Sequence, residues 1–476
     1  MIFKVYRDLM TSLTFYGGVN EIGGNKILLE DKDTRVFLDF GKGFSRRAKF
    51  FEEYINPRVA NGIEDFLTMG LLPDIKGLYR EDLMKLAERD VLEPNVDGVL
   101  LSHAHSDHAD YTSFIHEKIP IYMGATCHLI LQAIEERSNR QIEREISTYK
   151  ERPYNRKDDP IQRKIITFRT GDKFNIGSLE VEPIHVDHSV PGAYGFIIYT
   201  SEGPIGYTGD IRVHGTIPKM TWDFIQKAAN EKLVALIIEG TRLADEVREE
   251  SEELVFKESK NIVSTTNRLV LADFNFKDVD RLRTFIKVGK DNDRKLVVKM
   301  NDVYFLKYLS KDPQLNVPTV GDEDIIIYLP KKGSGLYQDS DYKGRDKEFV
   351  GRHNTWNAQE IAKNESKVLC AMGFHSFTAL IDMKPEPGGR YIHSASEPYN
   401  EEQEISQERI NAWVDHFGMY KFQCHCSGHA RSRDLLQIVD EINARTLYPV
   451  HTEHPEIYKR TAKNVTEVIE GRSYPI

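Results

Sequence analysis

Seven consecutive residues constrain this chain more than any others: Ser102-His103-Ala104-His105-Ser106-Asp107-His108, directly after the apolar run Gly98 to Leu101. The apolar run reads as a buried strand, so the cluster sits at a strand end. Three imidazoles and a carboxylate there can converge on metal, because neutral imidazole nitrogen and carboxylate oxygen both suit Zn²⁺. His103 and His105, two positions apart, project to the same side of the loop, while Asp107 and His108 can open the following helix. The bland alternative is a polar loop with fortuitous histidines, but only 16 histidines occur in 476 residues.

A chain of 476 residues calls for two or more subdomains. Its net charge of −10 argues against a surface coated in positive charge for nucleic acid, so a polyanion would need a local basic path. Four cysteines (Cys127, Cys370, Cys424 and Cys426) are too few to staple the fold, which points to a reducing compartment. Lys4, Arg7 and Asp8 interrupt the start of the chain, so export is not indicated. The longest apolar runs, such as Leu233 to Ile238, fall far short of the roughly 20 residues that cross a bilayer. A soluble cytoplasmic protein without membrane partners is expected.

The first half alternates short apolar runs with Gly, Asp and Asn. Strands are predicted at Ser12 to Tyr16, Lys26 to Glu30, Val36 to Phe40, Gly98 to Ser102, Ile119 to Met123, Leu179 to Val186, Phe196 to Thr200 and Ile205 to Thr208. A helix after Thr126 would bury Leu129, Ile130, Ala133 and Ile134 on one face. After Leu233 to Ile238 the pattern changes to strand Arg268 to Ala272, helix Val279 to Val288, strand Lys295 to Met300, a helix around Val303 to Ser310, and strand Asp324 to Leu329. That alternation predicts a parallel α/β unit with its own core. Lys331 to Arg352 reads as an exposed loop. A helix through Trp413, strand Tyr420 to Ser427, a helix burying Leu435, Leu436, Val439 and Ile442, and a strand near Leu447 to Val450 close the chain.

His103-x-His105-x-Asp107-His108 is the signature of the metallo-beta-lactamase fold, and further landmarks follow in order. Asp39 ends the run Val36-Phe-Leu-Asp39, where the family places an aspartate that orients the site. His188, in Asp187-His188-Ser-Val-Pro-Gly192, matches the third ligand position, and Asp210, in Tyr207-Thr-Gly-Asp210, the carboxylate between two metals. His185 is a rival to His188, but on an extended segment the two face opposite sides. His214 reads as a loop residue.

Later motifs select a branch of the fold. Glu239 in Ile237-Ile-Glu239-Gly-Thr-Arg242, His429 in Ser427-Gly-His-Ala430 and His451 in Pro449-Val-His-Thr-Glu453 resemble motifs A, B and C of the beta-CASP nucleases. Glutamate at A and histidine at C are similar to the RNA-processing members. Gly17-Gly-Val-Asn-Glu-Ile-Gly-Gly-Asn25 resembles the opening of the ribonuclease J family, so the resemblance spans nearly the whole chain. It implies an α/β fold: a metallo-beta-lactamase αββα sandwich formed by residues 1–242 and completed by 419–476, with a beta-CASP α/β domain inserted at 243–418. The chain departs from the pattern in a long insert between Asp39 and His103, containing Phe50-Phe-Glu-Glu-Tyr54 and Gly77-Leu-Tyr-Arg80, and in the loop Gly373-Phe-His-Ser376. It also stops 25 residues after His451, so the carboxy-terminal domain of bacterial members is expected to be missing, as in the archaeal type.

The resemblance implies two Zn²⁺ per chain, held by His103, His105 and His188 on one side and Asp107, His108 and His451 on the other, with Asp210 between them. Asp107, Asp210, Glu239 and His429 would take part in catalysis, with His429 paired to Glu239 as proton donor. A salt bridge at a strand end is the bland alternative for Glu239, and a satisfied core histidine the one for His429. Ser427, Gly428 and Ala430 would offer a hydroxyl and backbone N–H groups to phosphate. Cys424 and Cys426 share one strand face with His425 opposite, which favours burial over metal binding.

The implied activity is phosphodiester hydrolysis of single-stranded RNA, 5′ to 3′ exonucleolytic with endonuclease action besides; a DNA-repair nuclease and a non-catalytic RNA-processing scaffold are the alternatives. A homodimer is compatible with the family. For RNA contact, Arg137 to Arg169 carries ten Lys or Arg against five Asp or Glu, and Lys277 to Lys299 eight against four. Lys331, Lys332, Lys343, Arg345, Lys347 and Arg352 add a third basic group, and Tyr149, Tyr154, Tyr337 and Tyr342 are candidates for stacking on bases. For any one of these runs, an ordinary solvated face is the bland reading.

Overall fold

The computed structural model describes residues 10–52, 54–138, 141–153, 159–246, 248–396 and 401–476. They divide into two compact units: the chain up to Val213 with Ile217–Val247 and Gly428–Ile476, and His214–Thr216 with Arg248–Ser427.

Two sheets build the first unit. One orders its strands Ser473–Pro475, Ser12–Gly17, Lys26–Asp31, Thr34–Phe40, Gly98–Leu101, Ile121–Gly124 and Ile165–Phe168; the other orders Leu447–Pro449, Ala235–Ile238, Gly203–Tyr207, Tyr194–Thr200, Leu179–His185 and Phe174–Ile176. The alternation of side chains along each strand decides the layering. Leu13, Phe15, Ile27, Leu29, Val36 and Leu38 share one buried cluster with Phe196, Ile198, Ile205 and Ile237 of the second sheet. The intervening Ile197, Leu236 and Ile238 point the other way, onto Phe224, Ile225 and Ala228 of helix Lys219–Glu231 and Leu435, Ile438 and Val439 of helix Ser432–Ile442. Helix Ala125–Arg137 packs on Ile121–Gly124 and Ile165–Phe168. The unit is therefore the expected αββα sandwich, and each fully buried Leu, Ile or Phe contributes about 1.5–3 kcal/mol. Helix Ala125–Arg137 corrects the sequence in detail: it buries Thr126, Cys127, Ile130, Leu131 and Ala133, while Leu129 and Ile134 are half-buried.

A parallel sheet in the order Thr355–Trp356, Ile325–Tyr328, Lys295–Lys299, Val368–Ala371, Val270–Asp273, Arg390–His393 and Tyr420–Gln423 forms the second unit. Its inner strands are short apolar runs such as Ile325–Tyr328 and Val368–Ala371, fully buried as a sheet covered on both faces requires, while the edge strand Tyr420–Gln423 is largely exposed. Among the described residues, no helix is long and apolar enough to cross a membrane.

Candidate metal centre

The strands that carry the site run in one direction. Thr34–Phe40 and Gly98–Leu101 are parallel, as are Gly203–Tyr207, Ala235–Ile238 and Leu447–Pro449. Leu179–His185 shares the latter direction, because it and Gly203–Tyr207 are each antiparallel to Tyr194–Thr200. Asp39, His103, His188, Asp210, Glu239 and His451 lie at or just beyond the carboxyl ends of these strands, the usual place for a ligand in such sheets. His105 precedes the short helix Ser106–Ala109, whose first turn holds Asp107 and His108.

Two groups of donors result. His103, His105, His188 and Asp210 form one and Asp107, His108 and His451 the other, the donor atoms of each within 4.8 Å of one another. His105 Nδ1 stands 3.1 Å from His103 Nε2 and 3.0 Å from His188 Nε2, and Asp210 Oδ2 is 3.5 Å from His103 Nε2 and 3.2 Å from His108 Nε2. His451 Nε2 is 3.1 Å from Asp107 Oδ2. Second partners fix the rings: His188 Nδ1 donates to the Gly428 carbonyl (2.6 Å) and His108 Nδ1 to Asp39 Oδ2 (2.7 Å). Both therefore turn an Nε2 lone pair inward, as a metal ligand must.

The donor set fits cations. Among the described residues, His108 Nε2 and Asp210 Oδ1 are buried without a hydrogen-bond partner, an expensive state for polar atoms unless an ion satisfies them. Burial holds His103 and His188 well below the usual histidine range, in the neutral form that ligates. Burial also pulls His108 down, but the Asp210, Asp39 and Asp107 carboxylates outweigh it and demand positive charge at this point. Asp210, pushed up by burial, is nonetheless held ionised by the surrounding histidines.

Asp39 anchors the arrangement from a left-handed backbone (φ +57°). Its Oδ1 accepts the Ser102 N–H (2.6 Å), and its Oδ2 accepts the Ser102 hydroxyl (2.7 Å) and the Tyr207 hydroxyl (2.5 Å), which in turn accepts from Asn25 (3.1 Å). Gly41 lets this loop close: a Cβ there would lie 1.6 Å from the Asp107 carbonyl oxygen.

Glu239 is buried and accepts the Ile211 N–H (2.9 Å) and the Thr241 N–H (3.2 Å). Its two oxygens lie 3.1 and 3.0 Å from His429 Nδ1. Burial lowers the His429 pKa, but Glu239 and then Asp210 overcome it and push the imidazole up to about 9. Asn25, Ser102, Tyr207 and Thr241 have no role assigned from the sequence, although each lies inside one of the quoted motifs.

Other expectations are corrected. The Ala430 N–H donates to the Ile211 carbonyl (2.6 Å) in a fully buried setting, so it is not offered to phosphate. The Gly428 carbonyl accepts from His188 Nδ1 and the Ser427 carbonyl lies 3.0 Å from His214 Nε2; neither carbonyl bears on the hydroxyl and N–H groups expected to meet phosphate. His185 stacks on Tyr194 (ring centroids 4.9 Å apart), away from the donor groups. Tyr149 and Tyr342 are buried and cannot stack on bases; Tyr154, with Arg140, Arg156 and Lys157, lies outside the described residues. Much of the basic charge serves the fold. Arg152 pairs with Glu145 and Arg281 with Glu252, both buried, while Arg163 and Arg294 donate to backbone carbonyls. Lys332 pairs with Asp346 and Arg352 with Glu348. Cys424 and Cys426 are buried, as expected. In the 41–95 insert, Arg80 is buried between Asp82 and Glu145.

A separate grouping, Glu81, His116 and Glu117, does not suit metal. His116 Nδ1 accepts the Lys118 N–H (3.2 Å), which puts the neutral ring's proton on Nε2, 3.8 Å from Glu81.

Residues 73–249 match the beta-lactamase superfamily domain and residues 421–464 the Zn-dependent metallo-hydrolase RNA specificity domain. The chain is 20% identical over 466 residues to ribonuclease J of Mycoplasma genitalium, covering 96% of this chain and 70% of that protein. It is 23% identical over 396 residues to ribonuclease J of Sinorhizobium meliloti (80% and 62% covered) and 22% identical over 250 residues to that of Pyrococcus abyssi (51% and 48%). A crystal structure of a protein of unknown function from Enterococcus faecalis has the same fold, with a TM-score of 0.76 at 22% identity, covering 98% of this chain and 100% of that one.

Proposed function

Because the chain is a ribonuclease J-like beta-CASP member of the metallo-beta-lactamase superfamily, we propose that it is a cytoplasmic zinc-dependent ribonuclease hydrolysing phosphodiester bonds of single-stranded RNA, acting 5′ to 3′ with endonuclease action besides. The inserted parallel α/β unit is read as the beta-CASP domain. The observation that carries the reading is the convergence of six histidine and aspartate side chains and Asp210 at the strand ends, with His108 Nε2 and Asp210 Oδ1 buried and, among the described residues, without a hydrogen-bond partner.

In this reading His103, His105 and His188 would hold one zinc and Asp107, His108 and His451 the second, with Asp210 available to either. Zinc bound there supplies Lewis acidity to the phosphate and lowers the pKa of water. Asp39 and Gly428 orient His108 and His188 through their Nδ1 atoms. Glu239 holds His429 protonated at neutral pH, so that its Nε2 can deliver a proton to the leaving ribose oxygen. Thr208 and Ile211 keep Glu239 in place: Glu239 N–H donates to the Thr208 hydroxyl (3.3 Å), and its carboxylate accepts from Ile211.

The test uses the purified chain with zinc and RNA bearing either a 5′-monophosphate or a 5′-triphosphate and an internal label. Mononucleotides released only from the monophosphate RNA support 5′ to 3′ exonuclease action. Discrete internal fragments from both favour endonuclease cleavage, and no change in either RNA with metal bound refutes the nuclease reading.

A further inference from the structure

Thr241 places one hydroxyl between two histidines that the chain brings together from far apart. Its Oγ1 stands 2.8 Å from His451 Nδ1 and 3.1 Å from His429 Nδ1. Its own N–H donates to Glu239 (3.2 Å), which fixes the hydroxyl relative to the carboxylate that faces His429. His451 is itself held by its N–H on the Gly18 carbonyl (2.8 Å) and by a left-handed backbone, φ +54°.

Each ring meets a carboxylate as well as the hydroxyl. His429 Nδ1 faces both oxygens of Glu239, and His451 directs Nε2 at Asp107 (3.1 Å) within the second donor group. A hydroxyl can both donate and accept, so Thr241 can hold His451 Nδ1 whether that nitrogen carries a proton or a lone pair. The hydroxyl also lies 3.5 Å from the His451 carbonyl.

We propose that Thr241 is a positioning residue whose hydroxyl holds the ring orientation of His451 and His429 together, so that metal retention and proton delivery depend on one side chain. The proposal rests on the reading of His451 as a ligand and His429 as the proton donor. Without the hydroxyl, His451 loses the contact that fixes its rotation at Nδ1, and His429 keeps only Glu239 there.

Thr241→Val keeps the shape and removes the hydroxyl; Thr241→Ala does so without the second methyl, should valine disturb the packing. Zinc affinity by chelator competition and RNA hydrolysis should both fall about 10- to 100-fold in these variants, with Thr241→Ser restoring both. Wild-type affinity and rate in Thr241→Val, or a serine variant as impaired as valine, overturns the proposal while leaving the ligand set intact. His451→Ala is the reference: if it binds zinc like the wild type, the ligand assignment itself fails and the proposal with it.

Discussion

His188 and Gly428 are joined by a 2.6 Å hydrogen bond from the imidazole Nδ1–H to the glycine carbonyl. The same glycine leaves no room for a side chain: a Cβ would lie 2.4 Å from Ser189 Oγ, 2.7 Å from Ser189 Cβ and 3.2 Å from His188 Cε1. Gly428→Ala should push Ser189 and tilt His188 off its line to the other donors. Zinc affinity and RNA hydrolysis are expected to fall about 10- to 100-fold with the secondary structure retained. Chelator competition, initial rates and far-ultraviolet circular dichroism check this, and wild-type zinc affinity would refute it.

Asp39 gathers more buried donors than any other carboxylate of the site, from Ser102, Tyr207 and His108. Asp39→Ala leaves them facing a void with 0% exposure at Asp39 itself. Each orphaned buried group costs about 1–3 kcal/mol, and the groups are coupled, so a total loss of about 3 kcal/mol is expected, together with weaker zinc binding through His108. Urea unfolding at neutral pH measures it; a loss below about 1 kcal/mol counts against this account.

Metal removal should destabilise the first unit, because the carboxylates of Asp210, Asp39 and Asp107 crowd around the buried His108. An ion that binds only the folded chain adds about 2.7 kcal/mol at a free concentration 100 times its Kd. Chelation should therefore lower the melting temperature of the wild type and have little effect on Asp210→Asn, which lacks the shared carboxylate charge. Scanning calorimetry with and without chelator reads the difference, and equal shifts in the two proteins would remove Asp210 from the ligand set.

What could be read from the sequence is what a short window records. His103 to His108 sit in one loop, and Val36 and Leu38 betray their sheet face by alternation alone. The parallel unit was legible for the same reason, since Val279–Lys290 and Lys295–Lys299 each carry their own period. Thr241, Asn25 and Tyr207 were not, because a hydroxyl or amide has no periodicity and Asn25 meets Tyr207 only across two strands' worth of tertiary structure. Helix periodicity gave an apolar side to Ala125–Arg137, but the sheet beneath it chose Cys127 and Leu131 over Leu129 and Ile134. Local charge misled for a related reason: Arg281 belongs to a basic run, yet its partner Glu252 lies in another helix.

His425, in the second unit, supplies a pH dependence of its own. Burial first, and the Arg281 guanidinium second, push its pKa down to about 3, against about 6.5 for an unperturbed histidine. The unfolded chain thus binds a proton between these values that the folded chain refuses, so this contribution to stability is complete above about pH 6.5 and is lost as the pH falls toward 3. The slope is about 1.4 kcal/mol per pH unit, or about 2 kcal/mol by pH 5. Carboxylates titrate in wild type and variant alike, so the difference between them isolates the histidine. His425→Asn should lose less stability than the wild type between pH 7 and pH 5 in urea unfolding. Parallel stability profiles for the two proteins would show that His425 is protonated as readily in the folded chain as in the unfolded one.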